Sequence, residues 1–439
     1  MSLDHRKISG WGRYPIADAE VFEPVNEEAV LEEITSGADT VVVPRGLGRS
    51  YGDSALAARV ISTRHLDYLH SFDPENGVLT CGAGASLAEL IAFSIPRGWF
   101  LSVTPGTRFV TVGGAVASDV HGKNHHLEGS FGKHVTTLEI ATVSSGLVTC
   151  SPVENVDLFR ASCGGMGLTG VITRVTLQLK PISSAFIDQT TQRAENLSEA
   201  LAIFQDYRSA TYSVAWIDCA ARGGALGRSV VMTGEHSSSG SLQIPRESRV
   251  ALPFDMPGFL LNRHSISAFN HLYYAMAGLR NGRRDVPLQS FFYPLDAIGQ
   301  WNKLYGSRGF TQYQLVLPRE GGVDGIHRIL ERVSESGHGS FLAVLKVLGP
   351  AGSGLLSFPM EGYTLALDFK LAPGLFDFLD ELDQLVLDFG GRLYLAKDAR
   401  MSDAVFKLSY PQWEAFADVR ARYGADQRFH SLQSRRLGI

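Results

Sequence analysis

Short apolar runs rich in β-branched residues recur in the first part of the chain, at 40–43, 60–62, 78–81, 138–143 and 171–179, each close to a cluster of glycines. Runs of this length bounded by turn formers predict strands. Between two of them, Ser86-Leu87-Ala88-Glu89 opens an apolar-periodic segment that reaches Ile95. A serine with glutamate three positions later satisfies two helix-end amides reciprocally, so a helix is predicted to start there. Pro96 ends it, because the ring removes a donor and restricts the residue before it.

Beyond Lys180-Pro181 the pattern changes. The runs 212–218, 229–233, 312–317, 341–348 and 363–370 predict strands, 325–334 and 374–388 predict helices, and 391–398 predicts a last strand after a glycine turn. This order suggests an antiparallel sheet with helices on one side. The stretch 246–284 mixes apolar and basic residues without a clean period. Pro253, Pro257 and Gly258 interrupt it, so one long helix is not expected. It reads as an excursion over a hydrophobic sheet, with a lid or a lipid-facing surface as alternatives.

At 439 residues the chain exceeds the size at which single cores stop growing, which predicts two domains. A net charge of -5 argues against nucleic acid as partner, since phosphate binding asks for a basic excess. Cys81, Cys150, Cys163 and Cys219 are scattered, so they are expected to be buried thiols with no metal site. No apolar segment follows the basic residues of the N-terminus, and no run is long enough to span a membrane. The expected location is therefore cytoplasmic or membrane-peripheral.

Three glycine clusters carry the candidate chemistry. The first, Pro44-Arg45-Gly46-Leu47-Gly48-Arg49-Ser50-Tyr51-Gly52, lets backbone amides approach a phosphate closely. It leads to a strand rather than a helix, and no Gly-Lys-Ser/Thr ends it, so neither the Rossmann fingerprint nor the Walker loop fits. Pro105-Gly106-Thr107 running into Thr111-Val112-Gly113-Gly114 forms the second cluster, with His121-Gly122 beyond it. The third is Gly164-Gly165-Met166-Gly167, preceded by Asp157-Leu158-Phe159 and followed by Gly170-Val171-Ile172-Thr173. A single loop of this kind is more often a structural turn. The three together, in this order, resemble the flavoproteins of the vanillyl-alcohol oxidase type.

The resemblance implies an α+β fold with a two-lobed FAD-binding domain, 1–183 completed by 392–439. It also implies a substrate domain over 184–391, built on an antiparallel sheet flanked by helices. Cofactor contacts are expected from Arg45, Gly46, Leu47, Gly48, Arg49, Ser50 and Tyr51, then from Gly106, Thr111, Val112, Gly113, Gly114, Ser118 and His121. Ile172 and Tyr394 complete that set. Many members attach the flavin covalently through a histidine where this chain has Arg49. A guanidinium stays protonated and is no nucleophile, so FAD is expected to be held without a covalent bond.

The runs 46–53, 120–126 and 394–398 resemble more narrowly a branch of that family whose members oxidise the 2-hydroxyl of a polyprenyl-phosphate pentose, supplying cell-wall arabinose donors. The branch implies a lipid-linked sugar substrate, hydride transfer to flavin N5 and a short-chain reductase partner. Lys397 and His121 would be catalytic, because alcohol oxidation needs a group that takes or orients the hydroxyl proton. Tyr51, Lys123, Trp216, Gln312, Gln314, Lys346, Thr364 and Lys397 would line the substrate site. Thr364 and Ala366 stand where the branch carries an asparagine and a cysteine. The alternatives are an alditol or aldonolactone oxidase of the same fold, and a flavin-binding subunit without turnover.

Overall fold

In the computed structural model, residues 4–36, 40–245, 250–257, 262–279, 281–340 and 342–439 are described. The first sheet takes Asp4–Ser9, Ile16–Phe22, Arg59–Ser62 and Val43–Arg45 in that spatial order. Its last three strands run parallel. Parallel strands of one sheet need a crossover, and the helix Glu27–Thr35 supplies the one from Ile16–Phe22 to Val43–Arg45, which flank Arg59–Ser62; it is capped where the Asn26 side chain accepts from Ala29 N–H. The first glycine cluster therefore emerges at the carboxyl end of a parallel strand, where open sheets of this kind leave a crevice.

The second sheet is antiparallel. Leu69–Asp73, Val78–Gly82, Val171–Pro181, Val135–Thr142 and Gly146–Cys150 follow one another, and Trp99–Leu101 pairs with the far end of Val171–Pro181. Val171–Pro181 alternates buried and half-buried residues over most of its length, the period of a strand with one face in the core. Against this sheet packs Leu87–Ser94, with the expected reciprocal cap between Ser86 and Glu89.

An eight-stranded antiparallel sheet follows, in the order Gly282–Pro287, Phe186–Ala194, Ser229–His236, Tyr212–Ile217, Ala343–Leu348, Gly362–Lys370, Phe310–Pro318 and Arg392–Leu393. Its register decides which side chains share a face. Trp216 pairs with Val344, Val344 with Ala366, and Ala366 with Gln314. The neighbouring rows bring Lys346 beside Thr364 and Asp368 beside Gln312. On the opposite face Leu315, Leu345 and Leu365 are buried in the core together with Ile329 and Leu382 of the helices Arg319–Ser336 and Leu375–Asp388.

The structure departs from the sequence reading in four places. A 16-residue helix, Arg263–Gly278, lies within the segment expected to lack a long one. It begins past the interrupting prolines and is capped by Asn262. It packs on the cavity face, Tyr273 lying 4.6 Å from Trp216, so helices flank the large sheet on both sides. The final strand is two residues long, and 394–398 is a turn closed by Lys397 N–H donating to Tyr394 O at 2.9 Å. Strand pairing near 40–43 starts at Val43, while Val42 bridges to Phe429. Phe341, 246–249 and 258–261, parts of the expected strand and of the mixed segment, lie outside the described residues.

Candidate active site

A cavity of about 580 Å³ lies where the three glycine clusters meet the large sheet. The first loop is shaped by its own side chain. Gly48 has φ +63, and a Cβ there would lie 2.1 Å from the Arg45 guanidinium. That guanidinium donates to Ser9 O at 2.7 Å and Ala55 O at 3.1 Å, holding the loop's base. The backbone N–H groups of Gly46, Leu47, Gly48, Arg49 and Ser50 have no partner among the described residues, although all five residues line the cavity. Five consecutive free donors make a nest for an anion. Arg49 lays its guanidinium on the Trp11 ring, 4.0 Å from the centroid, with Phe109 at 5.7 Å.

The second loop meets the first at Gly46, where a Cβ would fall 2.1 Å from Thr111 Oγ1. Thr111 caps the short helix Val112–Ala117 by accepting from Gly114 N–H at 3.1 Å. At Gly114 a Cβ would meet nothing but that hydroxyl, at 2.9 Å, and otherwise faces the cavity. Gly106, Gly113, Ser118 and Ile172 also line it. Val112 does not: the helix turns its side chain into the hydrophobic core, where it is fully buried, which corrects its place among the expected cofactor contacts. Asp296 fastens this loop from the sheet side, accepting from Thr107 Oγ1 at 2.7 Å and Arg108 N–H at 3.0 Å. Free amides on one loop and an open glycine on the next fit the diphosphate of a dinucleotide.

The remaining wall holds the candidate catalytic groups. Lys397 comes from the turn after Arg392–Leu393 and places Nζ 3.8 Å from the centroid of the Tyr51 ring. Burial lowers its pKa and Lys346 adds to this, while Asp368 opposes both. Asp398 braces the turn from behind. It accepts from Arg400 N–H, Met401 N–H and Arg436, whose guanidinium also holds Asp53.

His121 Nε2 lies 3.0 Å from Gln314 Nε2, and its Nδ1 is buried without a partner among the described residues. Burial first, then Lys346, His125 and Lys397, hold its pKa well below the ordinary value, so the ring is neutral. Among the described residues it belongs to no group of three or more His, Cys, Asp or Glu side chains that could hold a metal ion. His125 Nδ1 accepts from Gly349 N–H, and His126 Nε2 contacts Ala210 O. Tyr394 lines the cavity, its ring stacked 4.6 Å from Phe358 and its hydroxyl donating to Ser118 O at 2.7 Å.

Lys123, Trp216, Gln312, Gln314 and Lys346 all reach the cavity wall. Burial brings Lys346 down to about 8, and burial together with Lys346 brings Lys123 down to about 7. Lys123 Nζ donates to Phe291 O, whereas Lys346 Nζ has no hydrogen bond or ion pair among the described residues. Thr364 does not line the cavity. Its hydroxyl donates to Leu315 O at 2.7 Å and accepts from Gln314 at 3.3 Å, so it supports Gln314 rather than facing a ligand. Asp368, Tyr305, Asp296 and Trp11 escaped sequence reading. Asp368 was detectable, since positions 364, 366 and 368 share one face of a strand.

These loops define an FAD-binding domain, and residues 19–151 match the family described as FAD binding domain. Over 99% of its length the chain is 37% identical to the decaprenylphosphoryl-β-D-ribose oxidase of Mycolicibacterium smegmatis, of which it covers 98%. It is 21% identical to the L-gulono-1,4-lactone dehydrogenase of Mycobacterium tuberculosis over 98% of both chains. To the L-gulonolactone oxidase of Bos taurus it is 28% identical over 40% of each. The chain belongs to the vanillyl-alcohol oxidase-type FAD-binding oxidoreductases, in the family of decaprenylphosphoryl-ribose oxidase. It is an FAD-dependent enzyme.

Proposed function

We propose that the enzyme oxidises the 2-hydroxyl of a polyprenyl-phosphate pentose to a ketone. Lys346 carries this reading. Leaving an ammonium without a partner in a half-buried wall is costly, and an anionic substrate removes the cost. Lys346 acts electrostatically on Lys123 and Lys397, so it shares with two further lysines a wall suited to a sugar phosphate. The relative named for a decaprenylphosphoryl-ribose substrate supports the choice of sugar.

Bound FAD supplies the acceptor for the hydride that leaves the sugar carbon. Tyr51 lines the cavity and burial keeps its phenol protonated, so its O–H is a donor for the substrate. Lys397, held over the same ring, takes the hydroxyl proton when neutral. Neutral His121, fixed by Gln314, orients the sugar without adding charge. Arg49, stacked on Trp11, leaves FAD bound without a covalent link.

In this reading 1–183 and 392–439 form the two-lobed flavin domain and 184–391 the substrate domain. Supporting it, the C-terminal segment returns to the first sheet through Val42 N–H to Arg428 O and His430 N–H to Val42 O. Phe269, Leu272 and Met276 are exposed on the helix that reaches the cavity through Phe269 and Tyr273. That apolar strip suits the lipid tail and contact with a membrane surface, and the ketone product calls for a short-chain reductase partner. None of the described helices is long and apolar enough to cross a membrane.

The test is anaerobic titration with a short-chain prenyl-phosphoryl ribose while following the flavin absorbance. Bleaching by that compound and none by free ribose or alditols is expected. Bleaching by an aldonolactone alone would favour the lactone oxidase reading, and a flavin that no sugar reduces would favour a subunit without turnover.

A further inference from the structure

Asp368 has a place in this site that neither its strand nor its neighbours require. Its side chain is fully buried behind Gln312, with which it pairs across the sheet. Oδ1 accepts from Gln312 Nε2 at 2.5 Å and Oδ2 from Tyr305 Oη at 3.1 Å, and Tyr305 stacks on Phe310 at 4.2 Å. Its N–H donates to Ser340 Oγ and Leu342 O. None of these contacts needs a charge: an asparagine of the same shape could keep them once the Gln312 amide turned over. A carboxylate this deep is expensive to ionise, and the cation that acts on it is Lys397.

Resting on the reading of Lys397 as proton acceptor, we propose that Asp368 is a positioning residue for the oxidation: reached through Gln312 from behind Tyr51, it sets the proton occupancy of Lys397, so that the pair receives the hydroxyl proton. The sugar O–H bond breaks and its proton goes to Nζ. The C–H electron pair leaves with its hydrogen as hydride to the flavin, and the C=O bond forms. With Asp368 ionised and Lys397 neutral, the pair passes from net -1 to net neutral as Nζ takes the proton, while the flavin takes up the hydride's negative charge, so the charge enclosed in the cavity is constant.

The groups facing the pair agree with this. Burial raises Tyr51 and Tyr305 well above the ordinary phenol range, so both stay protonated. Lys346 pushes Lys397 down, and His121 is neutral. Burial raises Asp368 and lowers Lys397, drawing the two proton affinities together.

Asp368→Asn tests it. Removing the negative neighbour disfavours the ammonium, so Lys397 titrates lower. The acid limb of sugar-dependent flavin reduction is expected to move down by about one pH unit, with the plateau rate about tenfold lower. Asp368→Glu should bring the limb back toward wild type. A second readout needs no turnover: in reductively ¹³C-methylated, flavin-loaded protein, the Lys397 resonance, assigned with Lys397→Arg, should titrate at lower pH in the asparagine variant. Should Asp368→Asn fail to fold, Tyr305→Phe, which removes one donor to the carboxylate, should produce a smaller shift of the same sign. An unmoved pH profile with an unmoved lysine resonance overturns the proposal. If the wild type is not reduced by the prenyl-phosphoryl sugar, the proposed function fails, while the resonance comparison still decides whether Asp368 controls Lys397.

Discussion

Asp296 accepts a hydrogen bond from the Thr107 hydroxyl 2.7 Å away, joining the cofactor loop to a segment that lies almost two hundred positions later in the chain. The same carboxylate takes Arg108 N–H. Hydrogen bonds to a charged group contribute about 1.5–3 kcal/mol each. Asp296→Ala should therefore loosen the loop and weaken FAD binding by about ten- to a hundredfold, read by fluorescence titration of the apoprotein. Unchanged affinity would show that the loop is held without Asp296.

Gly114→Val should give folded protein that loses flavin. The new side chain faces the cavity, its Cβ meeting nothing closer than Thr111 Oγ1 at 2.9 Å. Gel filtration and the ratio of flavin to protein absorbance check this. Normal occupancy would remove the second loop from the cofactor site.

Lys346→Met should separate binding from folding. A lysine with a pKa of about 8 in the folded state, against about 10.4 free, binds fewer protons folded than unfolded between those values. Its contribution to stability therefore rises as pH climbs from about 8 to about 10 and is least favourable below 8. The variant should show a flatter rise of melting temperature across that window and a KM for prenyl-phosphoryl ribose at least about tenfold higher. A KM equal to wild type would move the phosphate elsewhere.

Acid precipitation should release all the FAD into the supernatant, because Arg49 offers no nucleophile and its guanidinium is stacked on Trp11. A yellow pellet would contradict this.

The glycine clusters were legible because each encodes a backbone shape within a few consecutive residues, and Gly46, Gly48 and Gly114 all line the cavity. The meeting of Lys397 with Tyr51 was not, since it depends on how two distant segments fold against each other; the family resemblance named both residues but not their contact. The apolar run Tyr394, Leu395 and Ala396 predicts a strand at Lys397, where the chain turns. Asp398, which accepts from amides two and three positions ahead, was the local signal for a turn. The helix Arg263–Gly278 hid because Phe269, Leu272 and Met276 remain exposed, which blurs the period a core-facing helix would show. Val112 and Thr364 lie outside the cavity lining for a common reason: motif membership says nothing about which way a side chain turns.

Arg436 clasps Asp53 and Asp398 at once, so the loop after the first glycine cluster, the lysine-bearing turn and the helix Leu432–Leu437 meet at a single guanidinium. During synthesis the turn must wait for that helix to leave the ribosome before its geometry can set. Nascent chains halted short of Arg436 should already carry most of the cofactor cradle yet lack a correctly presented proton acceptor, so the capacity to hold flavin should precede the capacity to oxidise a sugar.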